Sequence, residues 1–226
     1  MVRGEPLAED AVLLRFGDTI DIAINAEVQR ATSLLREALP QIECIPAYAS
    51  ILLRFDPRQW RGDAGPHALV LAAAKAALAH GQQPVSTARE CVIPVCYAQE
   101  FGPDLADVAA SCGLETQKVI DLHASGDYRV AMIGFAPGFP YLLGLDPRLV
   151  MPRRADPRQQ VPAGSVAIGG AQTGIYPDCL PGGWQLIGRT PLRLFDLDAQ
   201  TPSLLTAGDR VRFRAIDAAE FRGLSA

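Results

Sequence analysis

Four arginines, Arg153, Arg154, Arg158 and Arg189, lie in a stretch of chain that holds neither lysine nor glutamate. A planar guanidinium keeps its charge and makes two parallel hydrogen bonds to a carboxylate or phosphate, so these side chains suit an anion site. Gly164-Ser165 and Gly182-Gly183 lie between them. Such pairs can turn bare backbone N–H groups toward an oxyanion, and equally well form simple turns. Gln172 and Thr173 add neutral donors and acceptors, and Tyr176 and Trp184 can rim a small pocket. His123 is the histidine nearest these motifs and a candidate general base, although a helix-end histidine also serves the helix dipole. Arg158, Arg189 and His123 are the candidate catalytic groups, and the others are candidate substrate contacts.

The stretch 134–195 carries ten of the 20 glycines and nine of the 18 prolines, with six arginines against three aspartates. It is therefore a locally positive surface in a chain of net charge −4, which fits an anionic ligand. There is no G-x-x-x-x-G-K-[ST] loop, which excludes a P-loop nucleotide site. Nucleic acid is a poor candidate partner, because the basic residues are not clustered with aromatic ones elsewhere. The five cysteines are scattered, without C-x-x-C pairs, so they predict reduced thiols and no metal site. The first residues are acidic where a signal peptide would be apolar, and Lys75 interrupts the apolar run from Ala68 to Ala79. These features predict a cytoplasmic protein that neither enters the secretory route nor spans a membrane.

The elements that must position these residues fall into an α+β chain with two domains, 1–90 and 91–226. In the first, strands are expected at Val12 to Phe16 and Ile20 to Ile24, where the isoleucines alternate. A helix capped by Asn25 should follow, ending at Pro40, and then a strand pair at Ile42 to Ile45 and Ser50 to Phe55. Pro66, the alanine-rich run and Gly81 delimit a second helix, and a last strand is expected from Ala88 to Val95. Strand, helix, paired strands, helix and strand is the ferredoxin-like order. In the second domain, helices at Pro103 to Cys112 and Glu115 to Ala124 precede a strand at Tyr128 to Ile133. Short strands are then expected at Ser165 to Ile168, Gln172 to Tyr176, Gln185 to Gly188, Pro191 to Leu194 and Arg210 to Arg214, a barrel-like pattern.

The strings HASGDYRVAMIGFAPGFPYLLGLDPRL, PRRADPR, VPAGSVAIGGAQTGIYP and PGGWQLIGRTPLRLFD resemble the KipI family, also labelled allophanate hydrolase subunit 1, over most of residues 95–215. The resemblance implies a cyclophilin-like β-barrel for the second domain. It implies a subunit of an ATP-dependent 5-oxoprolinase, inactive alone, that opens 5-oxoproline to glutamate with a KipA-type partner and a LamB/YcsF-type subunit. ATP would then be used at the level of the complex. Arg153 and Arg154 would hold the anionic substrate, and Gln172 and Thr173 the lactam's amide edge. Two other activities accompany the family: inhibition of a sensor histidine kinase, and a part in biotin-dependent carboxyl transfer to urea or a related amide.

Overall fold

The structure, a computed structural model, describes residues 2–80 and 88–225 and divides into two compact units, Met1–Thr87 and Ala88–Ala226. In the first, strands β1 (Arg3–Ala8), β2 (Ala11–Arg15), β3 (Glu43–Pro46) and β4 (Ser50–Arg54) form an antiparallel sheet in the order β1-β2-β4-β3. Helices α1 (Ile22–Ala38) and α2 (Pro66–His80) complete this unit. Val28, Ala31 and Leu35 of α1 and Val70 and Ala74 of α2 share one core with Val12, Leu14, Ile51 and Leu53 of the sheet. Their three- and four-residue spacing is what lays one stripe of each helix on the sheet.

Three expectations for this unit are corrected. Ile20 to Ile24 is not a strand, because Asp21 caps α1, its carboxylate accepting from Ala23 N at 2.8 Å and Ile24 N at 2.9 Å. A side chain that satisfies two orphan helix donors outweighs a short alternating pattern. Asn25 lies buried inside the helix, its amide donating to the Ala47 and Tyr48 carbonyls. The ferredoxin-like order also fails as drawn, since the strand expected to close it belongs to the second unit and the sheet edge beside β2 is taken by β1. Gly81, the expected end of α2, lies outside the described residues.

The second unit is a closed seven-stranded barrel. It comprises β5 (Glu90–Cys96), β6 (Tyr128–Ile133), β7 (Pro140–Leu143), β9 (Ser165–Gly169), β10 (Gln172–Ile175), β12 (Gln185–Arg189) and β13 (Arg210–Ile216). A separate two-stranded flap joins β8 (Arg158–Val161) to β11 (Leu180–Gly182). Helices α3 (Leu105–Cys112), α4 (Thr116–Ala124) and α5 (Ala218–Leu224) accompany the barrel. Its first and last strands, β5 and β13, run parallel and meet along all seven residues, while the other barrel pairings are antiparallel. Alternation divides the strands between two cores: Val166, Ile168 and Ile175 face inward, whereas Ala167 and Leu186 pack outward with Phe139, Val161, Tyr176 and Trp184. Pro191 to Leu194 forms bends and no strand, and the short strands β7, β8 and β11 lie where no strand was expected. Among the described residues, no helix is long and apolar enough to cross a membrane.

Candidate active site

The outer core under the flap collects most of the predicted site residues. The rings of Phe139, Tyr141, Tyr176 and Trp184 meet edge-on or tilted at 4.9 to 5.8 Å between centroids. Trp184 rests on Gly169 and Gly174, where a Cβ would collide with its indole ring. The Tyr176 hydroxyl accepts the backbone N–H of Trp184, and burial raises the pKa of this phenol. Gly182 crosses that hydroxyl so closely that any side chain would strike it. The Gly183 carbonyl accepts from Arg154 N at 2.7 Å. The second glycine pair therefore joins the flap to the loop that carries the arginines.

Arg153 lies over the Trp184 ring, 5.9 Å from its centroid, a cation–π placement that leaves the head group in solvent. Arg154 and Arg158 converge on Asp104, whose Oδ1 accepts from Arg158 Nη2 at 2.7 Å and from Arg154 Nη1 at 3.3 Å. Asp104 Oδ2 accepts from Leu186 N at 2.7 Å. This carboxylate is 3% exposed, so one buried anion fixes two arginines and a barrel strand together. The sequence reading missed Asp104. It stands just before α3, where an aspartate reads as a helix cap, yet its side chain makes no capping bond, and its partners lie 50 to 82 residues away.

Two donors in this region are unused. Nη1 of Arg158 and Nε2 of Gln172 are buried without a hydrogen-bond partner among the described residues. Gln172 is 8% exposed and pairs across the ladder with Gly169, which places it on the Trp184 face of the sheet. A buried donor left unmatched costs about 1–3 kcal/mol, a cost that a ligand acceptor removes.

The remaining candidates lie elsewhere. The Gly164 and Ser165 amides donate to Tyr176 O at 2.7 Å and Pro162 O at 3.2 Å, so they are engaged in a turn and do not form an oxyanion nest. Gly164 has φ +79° and packs against the Thr190 carbonyl, where only glycine fits. Arg189 Nε donates to Ala163 O at 2.7 Å, and Arg189 lines a cleft with Gly164 that none of the other three arginines enters.

His123 and Thr173 are inside the barrel. The imidazole is fully buried and stacks on Phe213 at 4.5 Å, with Nδ1 2.7 Å from the Tyr97 hydroxyl and Nε2 3.0 Å from Thr173 Oγ1. The Thr173 hydroxyl donates to Ala167 O at 2.9 Å. Its oxygen must then accept from His123 Nε2–H, and Nδ1 accepts from Tyr97. Burial drives the imidazole pKa down to about 3. Neutral, satisfied on both nitrogens and shut from solvent, His123 has the geometry of a core residue and no open position for a general base.

Phe135 is a further feature that its residue type did not announce. It is 61% exposed, holds φ +70° and touches Phe139 edge-on at 5.5 Å. The left-handed region costs an aromatic residue roughly 1–2 kcal/mol. Phe135→Asn, which tolerates that conformation, should raise the melting temperature by about 2–4 °C, measured by scanning calorimetry. An unchanged or lowered melting temperature would show that the ring contact outweighs the strain.

Comparison with known proteins places the chain. The chain is 43% identical over 225 residues to the B subunit of 5-oxoprolinase from Bacillus subtilis (strain 168), covering 96% of this chain and 94% of that protein. It is 42% identical over 212 residues to the B subunit of the Escherichia coli O157:H7 5-oxoprolinase, covering 92% and 93%. The crystal structure of TTHA0988 superposes with a TM-score of 0.79 at 38% identity, matching 96% of this chain but 41% of that longer one. The model of the carboxyltransferase domain, subdomain C and D, matches residues 2–205, so the chain belongs to that family.

Proposed function

We propose that the chain is the B subunit of an ATP-dependent 5-oxoprolinase and that the arginine and aromatic residues beneath the flap bind the substrate. The identity to two such B subunits over nearly the whole chain supports the first part. The observation that carries the second is the unspent Nη1 of Arg158, a buried donor on a guanidinium already held in place by Asp104. 5-Oxoproline presents a carboxylate and a lactam carbonyl, and the arginines with Gln172 offer matching donors. A lactam resists attack by water until its carbonyl oxygen is activated, which phosphoryl transfer from ATP supplies. The part of this chain is to fix the anion and stabilise charge that grows on oxygen.

On this reading the protein is a cytoplasmic KipI-type subunit, inactive alone, with a barrel of the cyclophilin-like kind, and it works with a KipA-type partner and a LamB/YcsF-type subunit. Reconstitution tests it. The three proteins together, with ATP, should release glutamate from 5-oxoproline, omission of this chain should abolish the release, and this chain should co-elute with the KipA-type partner in size exclusion. Glutamate release that is unaffected by omitting this chain would end the reading. The family description favours a second reading, carboxyl transfer, which biotin-dependent carboxylation of urea by the same mixture would support.

A further inference from the structure

At the end of the barrel the chain from Arg189 to Arg193, the turn at Gly164 and helix α5 enclose a cleft of about 410 Å³. This volume suits a small organic ligand. Two guanidinium groups, Arg189 and Arg193, line the cleft, and among the described residues no carboxylate side chain does. Arg189 is half-buried and makes no ion pair among the described residues, its single hydrogen bond being the one from Nε to Ala163 O. That bond fixes the plane of the guanidinium while leaving both terminal nitrogens unspent. Arg193 is bound to Asp196 through Nη1 and to Phe195 O through Nε, with Nη2 unspent. Pro191, Leu192 and Phe221 supply apolar walls, and Phe221 is held from behind by Phe101 at 4.2 Å between centroids.

The terminal nitrogens of Arg189 face an open cleft on a guanidinium already oriented by its bond to Ala163 O, so an anion that enters meets donors held in place. Among the described residues Arg154, Arg158, Arg210 and Arg214 have carboxylate partners, whereas Arg189, like the half-buried Arg129, has none. We propose that the Arg189 cleft is a second anion site, separate from the one beneath the flap. Its ligand is a small molecule with a phosphate or carboxylate group clamped by Arg189 and Arg193 and an apolar body laid against Pro191, Leu192 and Phe221. The forked donors of Arg189 set the geometry of the anion, and the apolar walls exclude fully hydrated inorganic ions.

The test is calorimetric titration of the full chain with three probes: ATP, inorganic phosphate and benzoate. At least one organic probe should bind with a dissociation constant in the micromolar to millimolar range, more tightly than inorganic phosphate. R189Q and R193Q should each weaken it tenfold or more, and R61Q, at an exposed arginine of the first unit, should leave it unchanged. Binding of ATP alone would identify a phosphate ligand, and binding of benzoate alone a carboxylate ligand. The exposed R193Q serves as the control for folding, because Arg189 also steadies the turn at Gly164. Affinity unchanged in both variants, or no organic probe bound in the millimolar range, would overturn the proposal. Because the readout is binding and not turnover, a failed oxoprolinase reconstitution leaves this result interpretable, and the reverse holds too.

Discussion

Replacing Arg158 with alanine should lower ATP-dependent 5-oxoproline cleavage by the reconstituted complex about thirty-fold to a thousand-fold, the rate equivalent of roughly 2–4 kcal/mol of lost charge stabilisation. The guanidinium is anchored through Nη2 to Asp104 at 2.7 Å, while Nη1 is buried and unmatched, so its position does not depend on the ligand. Arg158→Lys should recover little, because an ammonium cannot hold Asp104 and a ligand in one plane. Asp104→Asn offers the positioning counterpart. It keeps an oxygen for the Leu186 amide but weakens the hold on both arginines, so KM should rise more than kcat falls. Steady-state kinetics of the three variants checks this, and unchanged turnover in Arg158→Ala would remove the arginine from the chemistry.

The second large effect is on stability. His123 has an ordinary pKa near 6.5 when the chain unfolds, and burial in the barrel holds it down to about 3. Above pH 6.5 both states carry a neutral imidazole and stability is at its plateau. As pH falls below 6.5 the unfolded chain takes up a proton that the folded one refuses, so stability declines by about 1.4 kcal/mol per pH unit until pH 3. Between pH 7 and pH 5 the wild-type protein should lose roughly 2 kcal/mol from this residue. His123→Gln should be about 2–4 kcal/mol less stable at pH 7, having lost the Tyr97 and Thr173 bonds and the Phe213 stack. It should also lose that share of the acid slope. Urea titrations at pH 7 and pH 5 separate the two effects, and equal slopes in both proteins would mean that the imidazole titrates normally in the folded state.

Legibility in the sequence followed the range of the interactions. Tyr128 to Ile133 was readable because a strand's period is local, and the barrel strands near Ser165, Gln172 and Gln185 because turn residues bound them. Residue type singled out Arg153, Arg154, Arg158, Tyr176 and Trp184, and the structure sets these five around the flap. What could not be read was which of them share a place. Arg189 has the same residue type as Arg158 but points into a different cleft, and Thr173 and Gln172 are neighbours on opposite faces of one strand. Asp104 gave no signal of its own, and nothing local marked His123 as core and not site, since the strands that reach Asp104 and the core around His123 are assembled by barrel closure.

The parallel seam between β5 and β13 has a consequence for how the chain is made. During synthesis β5 is among the first parts of its unit to leave the ribosome and β13 among the last. Until Arg210 to Ile216 arrive, the edge carrying Val92, Ile93 and Val95 has no partner on that side. A nascent or truncated chain that stops before β13 therefore presents an open, apolar strand edge, the kind that pairs with other chains. Sealing that seam is a late, non-local event, which makes this unit dependent on its last strand for solubility while it is being built.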